Sequence, residues 1–259
     1  MSAEGIWKNE YGSIMMLSGK GHVLSGIYQS STSMVGTYEV RGVRVGRRAT
    51  ESYGQPLALA ISWHSMDDAN ANPSWHWCSG LSGQLSVRDG VEVLVLSHSL
   101  VAPNRFPGLV EDGTYIDRMT YRRLGGAERI PLPVRVAGAP DNPLAGVWEA
   151  PDGTSLALEV GASLDNRLGY VSGTLHAASE LEVSGFTDLH AVGNGLSRQA
   201  VTLTAVATSE RRAISLSGTL DLEKGTLALL DLSSEPTPPH QHFGQTRISS
   251  SVYRRRLAS

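Results

Sequence analysis

Apolar side chains fall at every second position in several short stretches of this chain. Leu57-Ala58-Leu59-Ala60-Ile61-Ser62-Trp63, Val91-Glu92-Val93-Leu94-Val95-Leu96 and Val201-Thr202-Leu203-Thr204-Ala205-Val206 show it best. A period of two is that of an extended strand with one face on a core. Glycine, Asn-Pro and Asp-Gly punctuation separates such runs at about 8–12 residues, the spacing of antiparallel meanders. No stretch holds a 3.6-residue apolar period long enough to predict a helix. About eight strands fall in each half of the chain, enough to close an up-and-down barrel with no free edges and a mouth for a small ligand.

The two halves repeat each other. Gly5-Ile6-Trp7 with Gly12-Ser13 returns as Gly146-Val147-Trp148 with Gly153-Thr154. Ser25-Gly26 returns as Ser172-Gly173, and Val40-Arg41-Gly42-Val43 as Val183-Ser184-Gly185-Phe186. Leu81-Ser82-Gly83 returns as Leu216-Ser217-Gly218, and Tyr121-Arg122-Arg123 as Tyr253-Arg254-Arg255. Matches kept in order, with small drift in spacing, mark a duplicated domain. The predicted fold is all-β: two tandem eight-stranded antiparallel up-and-down barrels packed as a pseudo-dimer. The first unit is expected over 1–124 and the second over 145–259. The Pro- and Gly-rich stretch 125–144 reads as a linker. Its apolar middle, Pro133-Val134-Arg135-Val136, is expected to lie on a barrel.

Composition narrows the partners. Among 259 residues the net charge is −3 and charged residues make up 18%. That balance argues against a nucleic-acid surface, which needs clustered Lys and Arg. The basic runs Arg122-Arg123 and Arg254-Arg255-Arg256 fit solvated strand ends. Cys78 is the only cysteine, which excludes an intrachain disulfide and fits a reducing compartment. Met1-Ser2-Ala3-Glu4 leads into the first strand without a signal-peptide pattern, and no apolar run reaches the length of a membrane span. A cytoplasmic protein with no membrane partner is the expectation.

Five segments carry a resemblance: Gly5-Ile6-Trp7-Lys8-Asn9 through Gly12-Ser13, Leu24 to Ser30, Ala60-Ile61-Ser62-Trp63, Ser79 to Gln84, and Tyr115-Ile116-Asp117-Arg118. In that order and spacing the first repeat resembles the avidin and streptavidin family of biotin-binding barrels, and the second resembles it more faintly. The resemblance implies that Asn9, Ser13 and Tyr28 are donors to a ureido oxygen. It implies that Ser30 and Asp117 accept from ureido N–H groups, that Ser79 faces the ring sulfur, and that Trp63 is a wall of the pocket. A buried urea-like head needs such a set, because each unpaired polar group costs about 1–3 kcal/mol. The alternative is that these hydroxyls satisfy one another inside the barrel.

Departures from the family pattern matter as much. Leu81 and His98 stand where the family has two further tryptophans, and Leu109 lies near the position of a tryptophan lent by a neighbouring subunit. Fewer aromatic walls mean less apolar contact and weaker binding. Trp75 and Trp77, in the loop from Asn72 to Cys78, are placed either to compensate as a lid or to form an interface. In the second repeat Ala150, Leu175, Ala177 and Ser249 replace Asn9, Tyr28, Ser30 and Asp117, and Thr208 falls near Trp63. Thr154 alone keeps its hydroxyl. The second barrel therefore reads as a structural partner, with an independent site for a different ligand as the alternative.

The leading reading is a non-catalytic receptor for biotin or another ligand with a urea- or amide-like polar head. Its site residues are Asn9, Ser13, Tyr28, Ser30, Trp63, Trp77, Ser79, Leu81, His98 and Asp117. The rival is an intracellular enzyme in small-molecule, secondary-metabolite biosynthesis. His98, Tyr28 and Asp117 would then serve cyclisation, isomerisation or proton transfer. His98 is either an acid–base group or a filler of a Trp-sized space bonded to a serine. His240 with His242, and His76 with Cys78, lack a complete metal shell, so neither a metal nor a cofactor is expected. Whether the pseudo-dimer pairs further through its barrel faces is left open.

Overall fold

The computed structural model describes residues 1–32, 35–67, 73–105, 109, 111–126, 135–136, 138, 141–207, 209, 211–238, 240–241 and 246–256. The first eight strands are β1 (Gly5–Asn9), β2 (Ile14–Lys20), β3 (Val23–Ser30), β4 (Gly36–Arg44), β5 (Gln55–Ser62), β6 (Cys78–Arg88), β7 (Val91–Ala102) and β8 (Gly113–Gly125). They pair antiparallel in chain order, and β8 returns to β1, closing a barrel.

Then come β9 (Arg135–Val136), β10 (Gly146–Glu149), β11 (Ser155–Ser163), β12 (Gly169–His176), β13 (Glu180–Thr187), β14 (Arg198–Ala207), β15 (Arg212–Asp221), β16 (Thr226–Ser234) and β17 (Arg247–Arg255). Strands β10 to β17 close a second barrel through the β10–β11 and β10–β17 pairings. The short β9 pairs with β11 at Ala162 and Ser163, so Arg135 and Val136 of the connection lie on the second barrel, while Pro133 and Val134 lie outside the described residues. Among the described residues the only helical element is one 3-10 turn, Pro73–His76.

The glycines shared by the two repeats are a demand of the fold. A side chain on Gly26 would place its Cβ 1.8 Å from the Met16 carbonyl oxygen, and one on Gly173 would lie 1.9 Å from that of Ala157. At these points neighbouring strands press backbone to backbone, as tight barrel curvature requires.

Each barrel has its own apolar interior, and one end of each is plugged in the same way. Trp7 donates from Nε1 to the Ala3 carbonyl at 2.8 Å, and Trp148 does so to Leu144 at 2.8 Å. Arg123 covers the Trp7 ring at 4.3 Å and Arg255 covers Trp148 at 5.5 Å. The repeated basic run is thus more than a solvated strand end: Arg123 also pairs with Glu92 and caps the Glu4 carbonyl at 2.6 Å.

The barrels pack face to face, β4 to β7 against β13 to β16. β5 shows why its sequence alternates large with small. Leu57, Leu59 and Ile61 point into the first barrel, whereas Ala58 and Ala60 meet the second. The mixed cluster holds Ala60, Cys78, Val101, Tyr170, Phe186 and Ala200. Serine pairs cross it: Ser82 donates to Ser234 at 3.0 Å and Ser217 to Ser99 at 3.0 Å. A fully buried carboxylate, Glu39, is held there by Arg41 at 2.8 Å and by the Tyr170 hydroxyl at 2.7 Å. Burial pushes the Glu39 carboxyl above its usual range, and Arg41 and Tyr170 pull it back.

Candidate functional site

The chain leaves β1, β3, β5 and β7 of the first barrel at the end opposite the Trp7 plug. Period-two alternation turns Tyr28 and Ser30 of β3, Ser79 and Leu81 of β6, and His98 of β7 inward near this end, all buried. Two hydrogen-bonded groups result.

In the first group Asn9 anchors the β1–β2 turn. Its Oδ1 accepts from the backbone N–H of Tyr11 at 3.1 Å and of Ser13 at 2.9 Å, while its Nδ2 donates to the Tyr28 hydroxyl at 3.3 Å. Burial lifts the Tyr28 phenol above its ordinary value, and hydrogen bonding with Ser13, Asn9 and Tyr121 works against that rise. Tyr121, from β8, is fully buried beneath them, and burial raises its phenol further. The Ser13 hydroxyl also accepts from the Ser31 backbone N–H at 3.1 Å.

The second group centres on Ser79. Trp63 donates from Nε1 to its hydroxyl at 2.8 Å, and His98 Nε2 lies 2.7 Å from the same oxygen. Burial pushes the His98 imidazole down to about 4, with the Asp117 charge pulling weakly the other way, so the ring is neutral at pH 7. The Ser79 hydroxyl accepts from Trp63 and shares a hydrogen bond with His98 Nε2, whose direction follows the tautomer of the neutral ring. Ser79 therefore holds two rings in place and keeps one of its three hydrogen-bonding directions open. Edge contacts of Trp63 with Tyr28 at 5.9 Å and with Tyr38 at 4.8 Å join the two groups.

Not every expected residue joins them. Asp117 pairs with His98 in register, on the same face, yet it is exposed at the rim. It accepts from the Arg118 backbone N–H at 2.6 Å and from the Tyr11 hydroxyl at 3.5 Å. Ser30 is buried but bonds Thr32 at 3.2 Å. Leu81 stands opposite His98 in register and packs in the barrel core. The aromatic loop divides its residues. Trp77 is buried in the first barrel and donates to Asn104 at 2.7 Å. Trp75 stacks on His64 at 3.9 Å, with Arg167 of the second barrel above its ring at 5.6 Å, so it belongs to the interface. Leu109 packs against the first core.

Tyr38, Tyr121 and Asn104 complete the site's walls and were absent from the sequence expectation. Tyr38 had one legible signal, its place opposite Tyr28 across the β3–β4 hairpin. His76 bonds Asp188 of the second barrel at 2.7 Å, and among the described residues no group of three potential ligands could hold a metal. Asn72, Thr208 and His242 lie outside the described residues.

No family model matches this chain, and no curated protein matches it. Among solved structures, the crystal structure of Xenavidin matches with 18% identity, covering 47% of this chain and 96% of that chain, with a TM-score of 0.37.

Proposed function

We propose that the first barrel is a receptor for a small molecule with an amide- or urea-like polar head, biotin being the reference compound. The observation that carries this reading is the pair of buried polar groups, Asn9–Tyr28 and Trp63–Ser79–His98, held at the loop end of a closed barrel. A preformed apolar wall with a few fixed polar groups is the usual make-up of a small-molecule site. Trp63, Tyr38 and Trp77 supply the wall. Neutral His98 and the Tyr28 hydroxyl supply groups that recognise a head without introducing charge.

The same geometry favours binding over catalysis. A value near 4 makes His98 a weak base at neutral pH. An acid–base set of His98, Tyr28 and Asp117 needs all three turned to one substrate, whereas Asp117 is engaged at the rim by Tyr11 and Arg118. Calorimetric titration with biotin, desthiobiotin and simple cyclic ureas and lactams tests the proposal. Binding weaker than in tight biotin binders, and reduced at least tenfold by Tyr28→Phe, is expected. Silence from every compound, or binding indifferent to Tyr28→Phe, would overturn it.

A further inference from the structure

The strand registers assign the second barrel a chemistry that linear comparison of the repeats hides. In the first barrel Leu81, His98 and Asp117 form one cross-strand row. The corresponding row in the second barrel is Leu216, Asp231 and Ser249. Ser249 does stand where Asp117 stands, but a carboxylate reappears one strand over, in the position of His98. By the same registers Arg212 takes the place of Trp77, beside Ala207 in the place of Trp63. Leu175 and Leu181 pair across their hairpin where Tyr28 and Tyr38 pair in the first barrel. Four aromatic side chains are thus replaced by smaller ones, and space opens.

That space is a cavity of about 220 Å3 inside the second barrel. It is smaller than the roughly 300–1,000 Å3 of pockets that take drug-sized ligands, so its occupant is a smaller molecule. Leu175, Leu181, Ile214, Leu216 and Leu229 make one side apolar. Arg212 and Asp231 line it together with the hydroxyls of Thr154, Ser249 and Ser251. The Asp231 Oδ1 atom is sealed from solvent and has no hydrogen-bond partner among the described residues. A buried carboxylate oxygen left in that state is costly, and a charged donor is its strongest remedy. The last torsion of an aspartate is soft, so the group can turn to meet a donor in the cavity. The guanidinium of Arg212 offers a planar fork of donors suited to a carboxylate.

We propose that the second barrel is a receptor in its own right, for a small amino-acid-like zwitterion with an apolar side chain. Its ammonium faces Asp231, its carboxylate faces Arg212, and its side chain lies against the leucine wall. This site is separate from that of the first barrel and does not depend on it.

Ligand-observed NMR and calorimetry with L-leucine and L-phenylalanine on the full chain test the assignment. Saturable binding of at least one of them in the millimolar range or tighter is expected. Asp231→Asn, nearly isosteric, should weaken it at least tenfold. Two analogues ask the same question of the unaltered protein, whatever the variant's folding: 4-methylpentanoic acid, which lacks the ammonium, and L-leucinamide, which lacks the carboxylate. Each should bind at least tenfold more weakly than L-leucine. Tyr28→Phe should leave the amino-acid signal in place, so that a silent first barrel does not decide the matter. No saturable signal from either amino acid, or equal binding by the analogues or by Asp231→Asn, would refute the proposal.

Discussion

Acid should weaken this protein through His98, by an amount that follows from its burial. In the unfolded chain a histidine titrates near 6.5, whereas in the fold His98 titrates at about 4 because desolvation disfavours its charged form. Between these values the unfolded state binds more protons than the native state, so stability rises with pH. The His98 contribution is complete above about pH 7 and is lost as pH falls. Integrating over the two titrations gives a loss of about 2 kcal/mol at pH 5 and about 3 kcal/mol at pH 4. His64, lowered to about 4 by burial and by Arg167, adds a second loss in the same window. The assay is urea unfolding of the wild type and of His98→Asn at pH 7.5, 6 and 5. Any fixed cost of the substitution is the same at every pH, so the difference between the two proteins isolates the titration. That difference should shrink by about 2 kcal/mol from pH 7.5 to pH 5. If the wild type and His98→Asn lose stability in parallel, His98 is not held neutral by burial, and the account of the site built on it fails.

Other consequences are sharper in sign than in size. Arg41→Ala leaves the fully buried Glu39 with only the Tyr170 hydroxyl, and should cost about 3–5 kcal/mol in urea unfolding. Recovery of most of that loss in the Glu39→Gln, Arg41→Ala double variant would place the cost in the uncompensated charge. Gly80→Val drives a side chain toward Ser215 and Ser217 of the second barrel, whose hydroxyls would lie 2.3 and 2.9 Å from the new Cβ. A loss of about 1–3 kcal/mol is expected, read as a lower urea midpoint. Gly173→Ala, aimed at a backbone carbonyl 1.9 Å away, should do at least as much, because backbone does not step aside as a hydroxyl can.

Much of the fold was legible because barrels are built from local rules. Period-two alternation located β5, β7 and β14, and the ordered repeat of Gly-x-Trp and Ser-Gly pairs foretold two barrels. The repeated glycines could be recognised in the sequence, but not explained; their reason is contact between strands that only pairing creates. The candidate site was legible to the extent that its residues sit on inward positions near one barrel end, as Tyr28, Ser79 and His98 do. Their partners were not, since Tyr38, Tyr121 and Asn104 reach the site from other strands and loops.

The sequence by itself determined the strand content, the duplication and the side of each strand that faces a core, because parity along a strand follows from local backbone geometry. Only the tertiary structure decided which outer face meets the other barrel, and with it the burial of Glu39, Ala58 and Ala60. It also decided that a carboxylate, Asp231, answers to His98. Register between strands far apart in the chain fixes such rows, and it is set by the closure of the whole barrel rather than by any short stretch of residues.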